Sequence, residues 1–250
     1  MPISSPHNDR LKEIRKLARR RSREQTGRFV AEGEDLLAAA DAAGWPALER
    51  YCAAGSGLDG VEVETELLGE VSQLGSGTRA LAVYEQRWAD APAGPLCVAL
   101  HGIADPGNVG TILRSALAFG ASSVALGPDC ADPYGPKAVR ASMGALFAVP
   151  LARASGTGAG LVAGLPGTTV ALDAHGGEPL ATALAQADGP LTLVVGAERA
   201  GLPEDVLAAC ERTARIPIHS ESLNAAMAAT VALYEVVRGA VVAEHRMPPA

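Results

Sequence analysis

From residue 96 onward, short aliphatic runs alternate with longer stretches whose apolar positions recur at helical spacing. The runs are Leu96 to Leu100, Ser123 to Leu126, Val149 to Leu151, Thr169 to Leu172, Leu191 to Val195 and Ala214 to Ile218. Helices are expected near Val109 to Phe119, Lys137 to Met143, Leu180 to Ala187, Pro203 to Cys210 and Asn224 to Val242. A strand that is apolar at consecutive positions is covered on both faces, and strands that alternate with helices are joined by crossovers. The pattern therefore demands an α/β fold with a mainly parallel sheet and helices on its faces. Hydrophobic residues make up 48% of the chain and aromatic ones only 4%, so the core is built from Ala, Val and Leu. At 250 residues the chain is long enough for one large core or two smaller ones.

A polar stretch broken by two prolines and a glycine, Glu85 to Pro95, reads as a boundary. It divides the chain into expected domains at 1–90 and 95–250. The first contains a basic segment, then Arg28-Phe29-Val30-Ala31-Glu32-Gly33, a helix from about Glu34 to Ala43, a strand near Tyr51 and the alternating Val61-Glu62-Val63, which together suggest a small α/β unit. Gly55-Ser56-Gly57-Leu58-Asp59-Gly60 matches the spacing of a dinucleotide-binding loop. That motif needs a helix opening within the glycines, whereas a strand pattern follows here, so the segment is expected to be a turn.

The chain carries a formal charge of −7, unevenly distributed. Residues 1 to 28 hold Arg10, Lys12, Arg15, Lys16, Arg19, Arg20, Arg21, Arg23 and Arg28 against three acids, a formal +6 that leaves −13 on the remainder. Leu11, Ile14, Leu17 and Ala18 fall at helical spacing, which predicts an amphipathic helix with a cationic outer face. Such a face either meets nucleic-acid phosphates, through Arg15, Arg19 and Arg20, or is merely solvated. Cys52, Cys97, Cys130 and Cys210 form no C-x-x-C pair and the five histidines have no metal-ligand spacing, so no metal is expected. No apolar run is long enough to span a membrane and the first residues are too polar for a signal peptide, so a cytoplasmic protein is expected.

Three separated runs combine polar side chains with glycine or proline where strands turn into helices. The first is Asp105-Pro106-Gly107-Asn108-Val109-Gly110-Thr111-Ile112-Leu113-Arg114. Asn108 there could cap the following helix, and Arg114, on a largely apolar helix, needs an anionic partner or a cleft. In the second, Val194-Val195-Gly196-Ala197-Glu198-Arg199-Ala200-Gly201-Leu202, the missing side chain at Gly196 lets a ligand approach the backbone. Glu198 serves either a loop contact or a site. The third is Ile216-Pro217-Ile218 followed by Ser222-Leu223-Asn224, where Ser222 could be a helix N-cap.

In this order the three runs resemble the SpoU branch of the SPOUT methyltransferases, over roughly residues 95 to 243. The resemblance implies a deep trefoil knot in the C-terminal part and transfer of a methyl group from S-adenosylmethionine to a ribose 2′-hydroxyl of RNA. It makes Arg114, Glu198, Ser222 and Asn224 catalytic, and places Val194, Gly196, Ile216, Pro217, Ile218 and Leu223 around the cofactor. Asn108, with Lys137 and Arg140 in the stretch Lys137 to Ala145, would contact RNA. The first ninety residues are similar to the substrate-binding domain that often precedes this catalytic domain, which favours ribosomal over transfer RNA. A homodimer packed near the cofactor is also implied. One departure is visible: the family commonly has Asn-Val-Ser, and this chain has Asn224-Ala225-Ala226. A knotted RNA-binding protein that has lost turnover is the alternative.

Overall fold

The computed structural model describes residues 1–73 and 77–246, with backbone only from 240 onward. The basic segment is two helices, α1 (Asp9–Leu17) and α2 (Arg20–Thr26), broken at Ala18 and Arg19. Leu11, Ile14 and Leu17 are buried as their spacing predicts. Arg23 is buried too, at 4% exposure, so it does not belong to an outer cationic face.

The first sheet has the order β1 (Arg28–Glu32), β4 (Ala80–Glu85), β2 (Glu49–Ala53), β3 (Val61–Val63), with α3 (Glu34–Ala42) and α4 (Thr65–Val71) in its connections. β4 is antiparallel to both neighbours, and β2 and β3 are parallel. The glycine-rich turn at 55–60 runs directly into β3 with no helix, which removes the dinucleotide reading.

The second sheet is parallel throughout, seven strands in the order β7-β6-β5-β10-β8-β11-β9. Its strands are β5 (Leu96–Leu100), β6 (Ser123–Leu126), β7 (Leu151–Arg153), β8 (Thr168–Leu172), β9 (Glu178–Pro179), β10 (Leu191–Val195) and β11 (Arg212–Arg215). The connecting helices are α5 (Pro106–Ala118), α6 (Pro136–Ala141), α7 (Ala145–Ala148), α8 (Ala159–Ala163), α9 (Leu180–Ala185), α10 (Glu204–Ala209) and α11 (Ala225–Arg246). Two strands differ from expectation. β7 begins after Pro150, and β11 ends at Arg215 because Pro217 has no N–H to continue a ladder.

Because every pair is parallel, the loops leaving all seven strands collect along one edge. The chain steps outward from β5 to β7, then crosses to build β8 and inserts β10 between β5 and β8. In such sheets ligands bind beyond the C-terminal ends of the strands where the stepping direction reverses.

The few aromatic residues are concentrated where the two sheets' units meet. Phe29 lies 4.8 Å from Tyr134, 5.7 Å from Tyr84 and 6.1 Å from both Trp45 and Phe147, ring centre to ring centre, and Trp88 lies 5.3 Å from Tyr134. Arg23 crosses the same seam: its Nη2 is 2.7 Å from the Asp132 carboxylate, and its Nη1 donates to the carbonyls of Leu17 and Ala18. Aromatic pairs each contribute about 0.5–1.5 kcal/mol beyond their buried area, so the units are held together by a packed interface.

Candidate active site

α5 begins in the first of the three runs, and its cap is Asp105, which accepts from the amides of Gly107 and Asn108. Pro106 occupies the first helical position, where a missing N–H costs nothing. Lys137 from α6 reaches Asp105 at 3.1 Å; that contact first, and the Gly107 amide second, hold the Asp105 carboxyl below the usual carboxylate range. Asn108 is thereby free of capping. α5 and α6 approach closely because residue 110 is glycine: a Cβ there would lie 2.6 Å from Ala141 Cβ and 2.9 Å from Ser142 N.

The side chain released by that cap joins the other two runs. Asn108 Nδ2 donates to Glu198 Oε1 at 2.6 Å, and Asn108 Oδ1 accepts from Asn224 Nδ2 at 3.1 Å. Asn224 Nδ2 also donates to Glu198 Oε1. The Asn224 Oδ1 accepts from the amides of Ala226 and Met227 at 3.0 and 3.3 Å, capping α11. An aspartate at 224 could cap the helix equally well but would set a second negative charge against Glu198. The carboxamide does both jobs. Asn108 from the first turn of α5, Glu198 from the loop after β10 and Asn224 from the loop after β11 thus form one closed triangle.

Glu198 also lines a cavity of about 400 Å³ at the C-terminal ends of β8, β10 and β11, within the range of small-molecule sites. Gly196, Ile216, Ile218, Leu223 and Ser222 line it as well. Gly196 is there because a Cβ would come within 2.6 Å of Gly201 O and Leu202 N. Two expected lining residues are elsewhere. Val194 points to the other face of the sheet and packs with Ala99, Leu161 and Val206, since alternate residues of a strand face opposite ways. Pro217 is exposed and absent from the wall, while its neighbours Ile216 and Ile218 turn inward. Ser222 is not the cap of α11; it sits in the wall two residues before Asn224. Ala226, at the position of the departure, is 2% exposed and packed in the core, and does not line the cavity.

The polar side of the wall comes from residues that sequence reasoning passed over: Asp173, His175, Arg199 and Glu221. Asp173 and His175 follow the end of a strand in a parallel sheet, a position that could have flagged them. Apolar side chains for a purine and a methylene chain, a glycine cradle and polar loops at one end for the charged groups make this a wall that S-adenosylmethionine fits. Among the described residues, no three histidine, cysteine or carboxylate side chains come together as a metal site.

Arg114 is exposed on α5, outside the cavity wall, with no ion pair or hydrogen bond among the described residues. Of the two environments its helix left open, an anionic partner is not found among the described residues. The remaining cations scatter. Arg15 donates to the Pro6 carbonyl at 2.8 Å and lies 3.9 Å from Glu70, Arg19 is exposed at the break between α1 and α2, and Arg20 pairs with Glu24 at 2.8 Å. Arg140 lines a groove with Glu32, Glu34 and Asp35 between the two units. No helix is long and apolar enough to cross a membrane among the described residues.

Comparison with known proteins places these features. Residues 95–234 match the SpoU rRNA Methylase family, and residues 8–86 match the MRM3-like substrate binding domain. A 23S rRNA (uridine(2479)-2′-O)-methyltransferase from Streptomyces viridochromogenes is 41% identical over 143 residues, which is 53% of this chain and only 49%, about half, of that protein. An uncharacterized tRNA/rRNA methyltransferase from Synechocystis is 31% identical over 94% of this chain and 93% of its own length. The crystal structure of an AdoMet-bound rRNA methyltransferase from Sinorhizobium meliloti superposes with a TM-score of 0.84 at 30% identity, covering 99% of each chain. With residues 95–234, more than half of the chain, matched and its fold superposing over nearly its whole length, the chain belongs to the SpoU rRNA methylase family.

Proposed function

We propose that this protein transfers a methyl group from S-adenosylmethionine to a ribose 2′-hydroxyl of ribosomal RNA. The observation that carries the reading is the Asn108–Glu198–Asn224 triangle on the rim of the cavity. When bound, the cofactor would supply an electrophilic methyl on a sulfonium and leave as the neutral thioether once that methyl bonds to the ribose oxygen, while the hydroxyl proton would pass to solvent water at this exposed rim. Glu198 fixes both carboxamides, while Ser222 in the wall can orient the ribose. Arg114 holds the adjacent phosphate and stabilises the developing alkoxide. A guanidinium gives up its proton only above pH ~12, so it works here as a fixed cation rather than as the base.

In this reading residues 1–90 bind the RNA and residues 95–250, of which the last four lie outside the described residues, form the knotted catalytic unit. Support for the threading comes from the family match over residues 95–234. The protein acts as a homodimer in the cytoplasm. α11 leaves Met227, Val231 and Tyr234 exposed along one face, an apolar stripe that a second copy would cover, and Leu117 is exposed on α5, which packs against α11 through Ser115 and Phe119. Arg114 lies on the same helix as Leu117, outside its own cavity, and a second copy packed there would give it a site to serve. The relatives' names favour ribosomal RNA.

Calorimetry with S-adenosylmethionine, followed by incorporation of labelled methyl into unmodified 23S ribosomal RNA, tests the reading. Binding without metal and a 2′-O-methyl product are expected. Folded protein that binds no cofactor at millimolar concentration would overturn it.

A further inference from the structure

A pair of arginines, Arg153 and Arg20, lies on the same edge of the parallel sheet, three strand positions from the cavity. Arg153 ends β7, and its guanidinium carbon sits 4.1 Å from the centre of the Trp88 ring. Trp88 in turn meets Tyr134 edge-on, so the ring that carries Arg153 is anchored in the seam. Arg20, from α2, opens onto the same cleft, with Gly127 and Asp132 from the loop after β6. Arg23 and Asp132 neutralise each other at 2.7 Å, leaving Arg20 and Arg153 against Glu24 alone. The cleft encloses about 60 Å³. Two guanidiniums around so small a cleft suit phosphate oxygens.

The loops between this cleft and the triangle are contiguous. The loop after β6 donates from Ala131 N to Ile103 O in the loop after β5, and the His101 amide of that loop donates to the carbonyl at the end of β10. With β7 and β10 three positions apart in the sheet, the separation is about 14 Å at ordinary strand spacing. A gap of that size spans a few nucleotides of an RNA strand. We infer that Arg153 and Arg20 form a phosphate-binding cleft for the RNA strand that runs along this edge, engaging it a few nucleotides from the methylated ribose. Trp88 is a positioning residue: by stacking on Arg153 it holds the guanidinium's donors pointing outward. Glu24 competes with the phosphate for Arg20.

This rests on the methyltransferase reading for the identity of the partner, and its test is kept separate by measuring binding rather than turnover. Full-length wild type, Arg153→Glu and Glu24→Gln would be titrated with an unmodified 23S ribosomal RNA transcript across a salt series, with S-adenosylmethionine affinity measured in parallel. Arg153→Glu should weaken RNA binding about tenfold, the scale of one charge-assisted contact at an exposed site. Its log–log salt slope should fall by roughly 0.7 to 0.9. Glu24→Gln should tighten RNA binding a few-fold. Cofactor affinity should stay the same in both. An unchanged slope for Arg153→Glu, or no gain for Glu24→Gln, would overturn the cleft while leaving the catalytic reading intact. Failure of the wild type to methylate would instead strike the catalytic reading itself.

Discussion

Gly110 joins the catalytic edge to its support, and replacing it with alanine perturbs that joint alone. The added Cβ would sit 2.6 Å from Ala141 Cβ and 2.9 Å from Ser142 N, and closer still to the Ala138 carbonyl oxygen. These are main-chain and Cβ atoms, with no flexible tip to swing away. Reaching an ordinary separation of about 3.5 Å requires α5 and α6 to part by roughly 1 Å. Overpacking of this kind costs about 1–3 kcal/mol. At 2–4 °C per kcal/mol for a chain of this size, Gly110→Ala should lower Tm by roughly 2–12 °C. The functional effect should be larger than the thermal one. Asn108 and Arg114 ride on α5, and a misplacement near 1 Å can cost about 10²-fold in rate. S-adenosylmethionine affinity should hold, because the cavity wall belongs to the loops after β8, β10 and β11. Gly160→Ala is the control: it lies in α8, with nothing within 4 Å of a new Cβ. Thermal melts, calorimetry and single-turnover methyl transfer on both variants decide the matter. A Gly110→Ala protein with wild-type Tm and turnover would refute the idea that this contact sets the position of α5.

Arg114→Ala should abolish methyl transfer while leaving cofactor affinity within a few-fold, and Arg114→Lys should remain poor because an ammonium lacks the planar fork of donors; near-normal turnover of Arg114→Ala would remove the residue from the mechanism. Arg23→Ala should destabilise the protein by about 3–5 kcal/mol, because it strands the Asp132 carboxylate in the seam; urea denaturation would measure the loss. Asp105→Ala should cost about 1 kcal/mol of cap energy at neutral pH. The Asp105 carboxyl is held low by Lys137, so its contribution is complete above the unfolded value of about 3.9 and fades as pH falls through the folded one. The Tm gap between wild type and variant should therefore be constant from pH 7 to 5 and shrink below pH 4.

The sheet was legible because buried parallel strands are written as uninterrupted aliphatic runs, and Leu96–Leu100, Ser123–Leu126 and Leu191–Val195 form strands at the expected positions. Strand ends were less so. Ile216, Pro217 and Ile218 look like a strand continuing from Arg215, but a proline cannot sustain the ladder and the chain turns into the cavity instead. The helix caps stayed open in the sequence for a related reason. Asn108 and Ser222 are competent caps by residue type, yet Asp105 stands immediately before a proline at the first helical position, and Asn224 immediately before α11. Asp-Pro was the available signal. What no local pattern could reveal is the pairing of distant residues: Arg23 with Asp132 across 109 positions, or Arg153 on Trp88. The +6 segment read as one cationic face, but burial of Arg23 and the break at Arg19 divide it. The low aromatic content was plain in the composition; that those rings would gather at one seam was not.

That gathering gives the molecule an intrinsic spectroscopic probe. Its two tryptophans, Trp45 and Trp88, both stand at the seam, each beneath an arginine: Arg87 lies 4.4 Å from the Trp45 ring centre and Arg153 4.1 Å from that of Trp88. Emission excited at the indole band therefore watches the seam, whereas far-ultraviolet circular dichroism watches the helices of both units. In a denaturant titration, coincident midpoints mean the halves melt as one cooperative block. An emission change that precedes the loss of ellipticity means they part company while each is still folded, a distinction this protein reports without any label.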